Sequence, residues 1–271
     1  MKYTLIGYPL GHTLSPFLHS KLFEMSGVQA RYIATPIPHE DLQGSFDKLR
    51  GFDGFNVTIP HKQSIIEMCD ALEGAAAIYN SVNTVVCGER IIGHNTDGIG
   101  FRRALEHYDV NLAGDVLICG SGGAARSAAF ECALAGCNVT IAVRQSDITA
   151  AQNLAGEIYS VAANPARAIL LSDIVGDFNL MINATPIGMH PNPGAMVVGA
   201  DIISACDAVF DMVYNPAETA LLKTAADIGK MVVPGMPMLV YQACEAQKIW
   251  YGAEFTAGQV DGLIRQLNDR L

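Results

Sequence analysis

A glycine-rich turn between two apolar segments is the feature that most constrains how this chain can fold. Asp115–Cys119 predicts a buried strand, and Gly120–Arg126 leads from it into an Ala-rich helix. In such a turn Gly120 permits the sharp bend, Gly122 lets the backbone approach a pyrophosphate, and Ala125 is small enough for close helix–strand packing. Glycines also mark ordinary strand-to-helix turns, but the next apolar strand follows at a suitable interval. The turn therefore predicts a dinucleotide-binding domain of the Rossmann type.

The end of the next strand, Asn138–Val143, bears on the choice of dinucleotide. NAD sites commonly place an acidic residue there to bind the ribose hydroxyl, whereas an arginine accommodates the 2′-phosphate of NADP. Arg144 follows the strand directly and favours NADP. Asp147 lies three residues further on and could reach the ribose instead, and Arg144 could be a solvated residue at a strand end. NADP is the predicted cofactor, and NAD stays open.

Short apolar runs alternate with longer segments of helical periodicity, which is typical of an α/β protein with largely parallel sheets. The predicted strands are Tyr3–Ile6, Arg31–Thr35, Gly54–Val57, Asn83–Cys87, Asp115–Cys119, Asn138–Val143, Leu180–Asn183, Ala208–Asp211 and Met231–Val233. The predicted helices are Pro16–Ser26, Lys62–Cys69, Gly98–His107, Met238–Trp250 and Thr256–Leu271. We expect 108–114 to cross between two domains and the last two helices to pack on the first.

Composition excludes several classes of protein. Half of the 271 residues are apolar and 16% are charged, as in a well-buried enzyme. The net charge of −10 argues against a nucleic-acid binder, because phosphates are neutralised by clustered Lys and Arg. No apolar run has membrane-spanning length, and the N-terminus does not read as a signal peptide. The seven cysteines are scattered without a C-x-x-C pair, which favours free thiols over disulfides or a metal site and predicts a cytoplasmic location.

A lysine and an aspartate in the first half suggest proton chemistry. Lys62 follows the polar turn after the strand Gly54–Val57 and is predicted to open a helix, where the helix dipole disfavours a cation. Asp97 lies at a strand-to-helix junction flanked by glycines. A lysine beside a carboxylate can take the proton of a carbinol as hydride leaves the carbon. The alternatives are an exposed lysine and an aspartate that only caps its helix.

Two hydroxyl residues near the N-terminus have a similar ambiguity. Ser15 is predicted to be the N-cap of the first helix, with Pro16 at the first helical position. The hydroxyls of Thr13 and Ser15 could equally bind a polyhydroxylated ligand.

Together these segments resemble the shikimate dehydrogenase family, across essentially the whole chain and in the same order. The matching motifs are 7–16, 56–62, 82–84, 95–98, 183–189, 211–216 and 238–242. The resemblance implies reversible, NADPH-dependent reduction of 3-dehydroshikimate to shikimate in the biosynthesis of aromatic amino acids through chorismate. It also implies an α/β substrate domain over residues 1–103, completed by 238–271, and a Rossmann-type NADP-binding domain over 104–237. The active site would lie in the cleft between them.

The same resemblance implies a role for individual residues. Lys62 and Asp97 would be the catalytic pair. The implied substrate-binding residues are Thr13, Ser15, Thr58, Asn83, Tyr214 and Gln242. The implied cofactor-binding residues are Gly120, Ser121, Gly122, Gly123, Ala124, Arg144, Thr185, Met212 and Gly235.

Three departures from the family pattern bear on specificity. Thr13 stands where the family usually has serine, and Asn80-Ser81 replaces the usual Gly-Ala pair; both bear on the preference for shikimate. The usual Asn-Arg-Thr reads Val143-Arg144-Gln145, without a second basic residue shortly after, which bears on the preference for NADP.

Two other functions remain as alternatives. One is a quinate or quinate/shikimate dehydrogenase that uses NAD or both cofactors. The other is a catalytically silent NADP-binding sensor, against which the presence of both Lys62 and Asp97 speaks. In each case the partner is a small molecule, with neither nucleic acid nor membrane involved, and we expect a monomer or a homodimer.

Overall fold

The computed structural model describes residues 1–11 and 13–271, so His12 of the first motif lies outside the described residues. The chain divides into two compact units. The first unit is Met1–Gly100 with Val240–Arg270, and the second is Phe101–Leu239 with Leu271. The sequence analysis placed the corresponding boundaries after residues 103 and 237. Within the described residues, no helix is both long and apolar enough to cross a membrane.

In the described part of the first half of the chain, six strands and four α-helices follow one another. They are β1 (Lys2–Gly7), α1 (Ser15–Ser26), β2 (Arg31–Pro36), α2 (Leu42–Leu49), β3 (Gly54–Val57), β4 (Ala71–Leu72), α3 (Ala75–Tyr79), β5 (Thr84–Cys87), β6 (Ile91–His94) and α4 (Asp97–His107). Short 3₁₀ helices occur at His39–Asp41 and Ser64–Met68.

The sheet of the first unit has the strand order β2-β1-β3-β5-β6-β4. β1 is parallel to β2 and β3, whereas β5 is antiparallel to β3 and β6. Because antiparallel neighbours run in opposite directions, the end of β3, the start of β5 and the end of β6 meet at one edge. Asn56 is opposite Thr84, and Thr84 is opposite His94. This edge therefore gathers the segments that carry Lys62, Asn83 and Asp97.

The second half of the chain begins with a strand–helix alternation and ends with two helices. Its elements are β7 (Asp115–Cys119), α5 (Gly123–Leu134), β8 (Asn138–Val143), α6 (Ile148–Tyr159), β9 (Ala166–Leu170), β10 (Phe178–Asn183), α7 (Ala200–Ser204), β11 (Cys206–Asp211), α8 (Ala220–Asp227), β12 (Met231–Val233), α9 (Gly235–Tyr251) and α10 (Ala257–Asn268).

The second sheet is wholly parallel, with the order β12-β11-β10-β7-β8-β9. From β7 the sheet extends through β8 and β9 on one side and through β10, β11 and β12 on the other. This is the strand order of the Rossmann fold. Its central strands bury Leu117, Met181 and Val209 completely, as a parallel sheet covered on both faces requires. The crevice beside the carboxyl end of β7 is where such sheets bind dinucleotides.

The C-terminal helices pack on the first unit, and this confirms the prediction. The ring of Trp250 in α9 stacks on Tyr3 with 4.3 Å between ring centroids, and its Nε1 donates to the carbonyl of Val85. A Cβ atom at Gly54 would lie 2.5 Å from Trp250 Nε1, so only glycine allows this close approach. The predicted α/β fold, with a Rossmann-type sheet and returning helices, is confirmed.

Two local predictions are wrong. No α-helix spans residues 62–69: Lys62 lies in a turn, and the carbonyl of Lys62 accepts a hydrogen bond from Val82 N at 2.8 Å instead of from the following turn. Ser15 is not the N-cap of α1, because the helix already begins at Ser15 and Leu14 holds the cap position.

Candidate active site

In the first unit, Lys62 and Asp97 form an ion pair at the sheet edge where β3, β5 and β6 meet. Nζ of Lys62 donates to Oδ2 of Asp97. The side chains are only 11% and 8% exposed, so water screens this pair far less than a surface pair. Asp97 is the first residue of α4, yet its carboxylate oxygens bind other side chains. The arrangement contradicts the alternative of an exposed lysine and an aspartate that only caps its helix.

The amide of Asn83 fixes the other oxygen of Asp97. The backbone N–H of Thr96 can only donate, and it lies 2.8 Å from Asn83 Oδ1. This contact fixes which end of the amide is the oxygen. The Nδ2 group therefore faces Asp97 and donates to Oδ1 at 2.8 Å. Asn83 thus holds the carboxylate in the rotamer that meets Lys62.

A buried chain of hydrogen bonds leads to this pair, and every donor in it points the same way. The hydroxyl of Tyr32 donates to Asn56 Oδ1 at 2.7 Å, and Asn56 Nδ2 donates to Thr84 Oγ1 at 3.0 Å. Thr84 donates in turn to Asn83 Oδ1 at 2.9 Å. Because bonds aligned in one direction polarise each other, the chain strengthens the final bond to the carboxylate of Asp97.

All of the implied substrate-binding residues except Tyr214 lie in the same unit. Thr13 and Ser15 contact each other, with 3.2 Å between their hydroxyl oxygens. Thr58 lies just beyond the end of β3, four residues before Lys62. Gln242 in α9 reaches the edge network through its Oε1, which lies 3.4 Å from Thr96 Oγ1. Tyr214 lies apart from these residues in the chain, in the second unit, where burial raises the pKa of its hydroxyl.

In the second unit the glycine-rich turn has the geometry that a pyrophosphate needs. Gly120 has φ +109°, and a Cβ there would be 3.1 Å from the carbonyl oxygen of Ala184. Around Gly122, the N-cap of α5, the space a Cβ would fill is open. Among the described residues, no side chain caps this helix, and its first turn has no acidic residue, so its N–H groups are available to an approaching anion. Ser121, Gly123 and Ala124 belong to the same turn.

Arg144 follows β8, where a ribose-binding residue is expected in this fold. Its side chain is 73% exposed, and its Nε and Nη2 donate to Asp147 Oδ2 at 3.0 and 2.8 Å. The hydrogen bond from Arg144 lowers the pKa of Asp147. The guanidinium that would bind a 2′-phosphate is thus held by a neighbouring carboxylate in this structure.

The remaining cofactor-side residues are at the carboxyl edge of the second sheet. Thr185 follows β10 and Met212 follows β11. Gly235, the first residue of α9, packs on this edge: a Cβ there would be 2.5 Å from the carbonyl oxygen of Met212. The glycine turn, Thr185, Met212 and Gly235 thus follow the carboxyl ends of β7, β10, β11 and β12.

Comparison with known proteins gives the family. Residues 5–85 match the family described as the shikimate dehydrogenase substrate binding domain. The shikimate dehydrogenase (NADP(+)) of Methanothermobacter thermautotrophicus is 35% identical over 98% of this chain and 96% of that protein. The chain belongs to the shikimate dehydrogenase family.

Solved structures of shikimate dehydrogenases share the fold over almost the whole chain. One in complex with NADP+ superposes with a TM-score of 0.90 and 36% identity, covering 98% of this chain and 95% of that one. A shikimate 5-dehydrogenase from Listeria monocytogenes, in complex with shikimate and NAD, superposes with a TM-score of 0.88 and 31% identity. The match covers 98% of this chain and 96% of that one.

The sequence analysis assigned no role to the residues that orient the candidate site. Asn56, Thr84 and Thr96 make the contacts that fix Asn83, and Asn183 and Asp211 organise the second sheet's edge. One signal was available: each of these polar residues lies in an apolar strand or within two residues of one. A polar side chain buried in such a place must find a hydrogen-bond partner.

Proposed function

We propose that this chain catalyses the reversible, NADPH-dependent reduction of 3-dehydroshikimate to shikimate in the biosynthesis of aromatic amino acids. The observation that carries the proposal is the buried ion pair of Lys62 with Asp97, at the end of a hydrogen-bond chain, in a member of this family. A silent NADP-binding sensor would have no use for two charges buried at this edge, because burying charges is unfavourable without a compensating role.

In this mechanism Lys62 transfers the proton. The nicotinamide, when bound, supplies or accepts the hydride at the substrate carbon. During reduction the ammonium of Lys62 donates a proton to the oxygen as negative charge develops there. During oxidation the neutral amine takes the hydroxyl proton. Positioned acid–base groups of this kind accelerate a step by about a hundred- to ten-thousand-fold.

Asp97 keeps Lys62 oriented and stabilises it while it is charged. The carboxylate is itself fixed by Asn83, so the lysine is held before the substrate arrives. Preorganised polar groups need no rearrangement at the moment of reaction, which is the main advantage of such a site over water.

We propose that the hydroxyl and amide residues bind the substrate. Thr13, Ser15 and Thr58 offer hydroxyl groups that can donate or accept, and these suit a ligand with several ring hydroxyls and a carboxylate. Asn83 and Gln242 add amides at the catalytic edge, and Tyr214 adds a phenol from the second unit.

We propose that the second unit binds NADP and that the first binds the substrate. The uncapped N-terminus of α5 fits the pyrophosphate, and Arg144 is the group that can pair bidentately with a 2′-phosphate. Binding through Arg144 requires the guanidinium to leave Asp147 or to share with it. For this reason we propose a preference for NADP with residual use of NAD.

We also propose a cytoplasmic enzyme, active as a monomer or homodimer, with neither nucleic acid nor membrane as a partner. Support comes from the net charge of −10 and from seven cysteines that are all free thiols, as a reducing compartment favours.

Initial rates with shikimate and with quinate, each with NADP and with NAD, test the proposal. We expect shikimate with NADP to give the highest kcat/KM, with NADP preferred over NAD by at least about tenfold. Failure to oxidise shikimate with either cofactor would refute the proposed function. Equal rates with quinate would point to a quinate/shikimate dehydrogenase.

A further inference from the structure

The carboxylate of Asp211, at the end of β11, is completely buried and has no place in the proposed mechanism. Burial raises its pKa, whereas hydrogen bonds from Thr219, Val213 and Asn183 favour its charged form. A buried carboxylate with this many donors normally organises the structure around it.

Through Asn183, the carboxylate of Asp211 fixes the loop that follows β10. Asn183 Nδ2 donates to Asp211 Oδ1 at 2.9 Å and to the carbonyl of Ile187 at 3.0 Å. With the amide held this way, Asn183 Oδ1 accepts from both the backbone N–H and the hydroxyl of Thr185, at 3.1 and 2.7 Å. The position of Thr185 therefore depends on Asp211.

The carboxylate of Asp211 also fixes the loop that follows β11, here by direct hydrogen bonds to residues of that loop. Asp211 Oδ1 accepts from Val213 N at 3.0 Å, and Oδ2 accepts from the hydroxyl of Thr219 at 2.6 Å. Thr219 is also the N-cap of α8. Met212, which is held between Asp211 and Val213, packs through its carbonyl against Gly235. The carboxylate thus closes the loop 211–219 at both ends.

From these contacts we infer that Asp211 is a positioning residue for the cofactor, whose buried carboxylate holds the loops that bring Thr185 and Met212 to NADP. This inference rests on the proposed binding of NADP by the second unit. An asparagine replaces the carboxylate poorly. Its amide oxygen can take the place of Oδ1 and accept from Val213 and Asn183, but its NH₂ group then faces the hydroxyl of Thr219, whose proton loses its acceptor.

The same two strands offer a matched control at their other end. Asn179 Nδ2 donates to Asp207 Oδ2 at 2.9 Å, so an Asn–Asp pair links β10 and β11 at their amino ends as well. Asp207→Asn makes the same chemical change far from the cofactor edge of the same sheet. Thr219→Val is a second variant on the cofactor side: it removes one donor to the carboxylate and the N-cap of α8, and it leaves the carboxylate in place.

The test measures three quantities for the unsubstituted chain and for each variant. They are the Kd of NADPH, from a fluorescence titration, the KM for shikimate at saturating NADP, and the urea concentration at the midpoint of unfolding. We expect Asp211→Asn to raise the Kd of NADPH by at least about tenfold, since the buried hydroxyl of Thr219 loses the acceptor of its proton and the other two donors lose a charged acceptor. Thr219→Val should raise it by a smaller factor. Asp207→Asn should leave it unchanged, and KM for shikimate should be unchanged in all three.

An Asp211→Asn protein with a lower urea midpoint but unaltered NADPH binding would show a purely structural role and overturn the inference. If Asp211→Asn does not fold, unaltered binding by Thr219→Val overturns it. Failure of the unsubstituted chain to bind NADPH would also overturn the inference. An unsubstituted chain that binds NADPH but does not oxidise shikimate would refute the proposed function alone, and the comparison of Kd values would still decide the role of Asp211.

Discussion

Asn83 donates from Nδ2 to Oδ1 of Asp97 at 2.8 Å, while the other carboxylate oxygen of Asp97 holds Lys62. The two bonds on one carboxylate make the orientation of the lysine depend on the amide of Asn83. Removing that amide should therefore affect catalysis as well as substrate binding.

The first prediction concerns this amide. Asn83→Ala should lower kcat/KM for shikimate by about a hundredfold, since a displacement of a catalytic group by about 1 Å can cost about that much. Asn83→Asp should be equally poor at neutral pH, because two adjacent carboxylates repel each other and only a protonated one can donate. As the pH is lowered, the ratio of Asn83→Asp to Asn83→Ala activity should rise. A ratio that does not change with pH would exclude the donor role.

A second prediction concerns the cofactor. Arg144→Ala should raise KM for NADP much more than KM for NAD, because only NADP offers a phosphate to the guanidinium. Asp147→Asn should lower KM for NADP, since Asp147 holds the guanidinium in the free protein. Steady-state kinetics with both cofactors measures this. Equal effects of Arg144→Ala on the two cofactors would instead make Asp147 the candidate ligand of the ribose.

A third prediction is that Thr13 influences the preference for shikimate over quinate. Quinate carries an additional hydroxyl at the carbon that bears the carboxylate, so it needs more space than shikimate. The methyl group of Thr13 reduces that space, and Thr13→Ser should raise kcat/KM for quinate relative to shikimate. The ratio of the two substrates, measured for each protein, is the test. An unchanged ratio would mean that Thr13 does not line the pocket at that position.

Stability should depend on pH through His19. This residue stacks on Tyr32 at 4.1 Å, and burial lowers the pKa of its imidazole from 6.5 to about 3. Between these values the unfolded chain binds a proton that the folded protein excludes. The free energy of unfolding should therefore fall as the pH drops below 6.5, by up to about 1.4 kcal/mol per pH unit.

Urea denaturation across this pH range measures that dependence, and His19→Phe is the control because it keeps a stacked ring but cannot titrate. The free energy of unfolding of His19→Phe should depend less on pH below 6.5. Identical pH dependence in the two proteins would show that His19 already takes up its proton in the folded state.

Secondary-structure elements that are specified by a few neighbouring residues could be predicted from the sequence. The glycine turn at Gly120 was predictable because a strand, a turn and a helix follow each other within a few residues. The C-terminal helix was predictable from its periodicity and begins after Thr256, which forms a capping box with Gln259. β4 was not predicted because it has only two residues, and β6 was not predicted because Gly93 interrupts its apolar pattern.

The hydrogen-bond chain could not be predicted, because it depends on tertiary register. Asn56 meets Thr84 only because β5 runs antiparallel to β3 and pairs with it at that position. The predicted helix at Lys62 failed for a related reason: Val82, twenty residues later, binds the carbonyl that a helix would have used. Sequence pattern predicted the pair that we propose to react, whereas the residues that orient this pair came from the fold.

The kcat of Lys62→Ala with shikimate and NADP tests the central claim most directly, namely that Lys62 and Asp97 act as one unit in proton transfer. An interaction made only in the transition state changes kcat and leaves KM almost unchanged. Lys62→Ala and Asp97→Asn should each lose about 10²–10⁴ in kcat, and the double variant little more than the worse single one. Lys48→Ala, at an exposed lysine of the same unit, is the control and should keep full activity. Full activity in Lys62→Ala would contradict the mechanism.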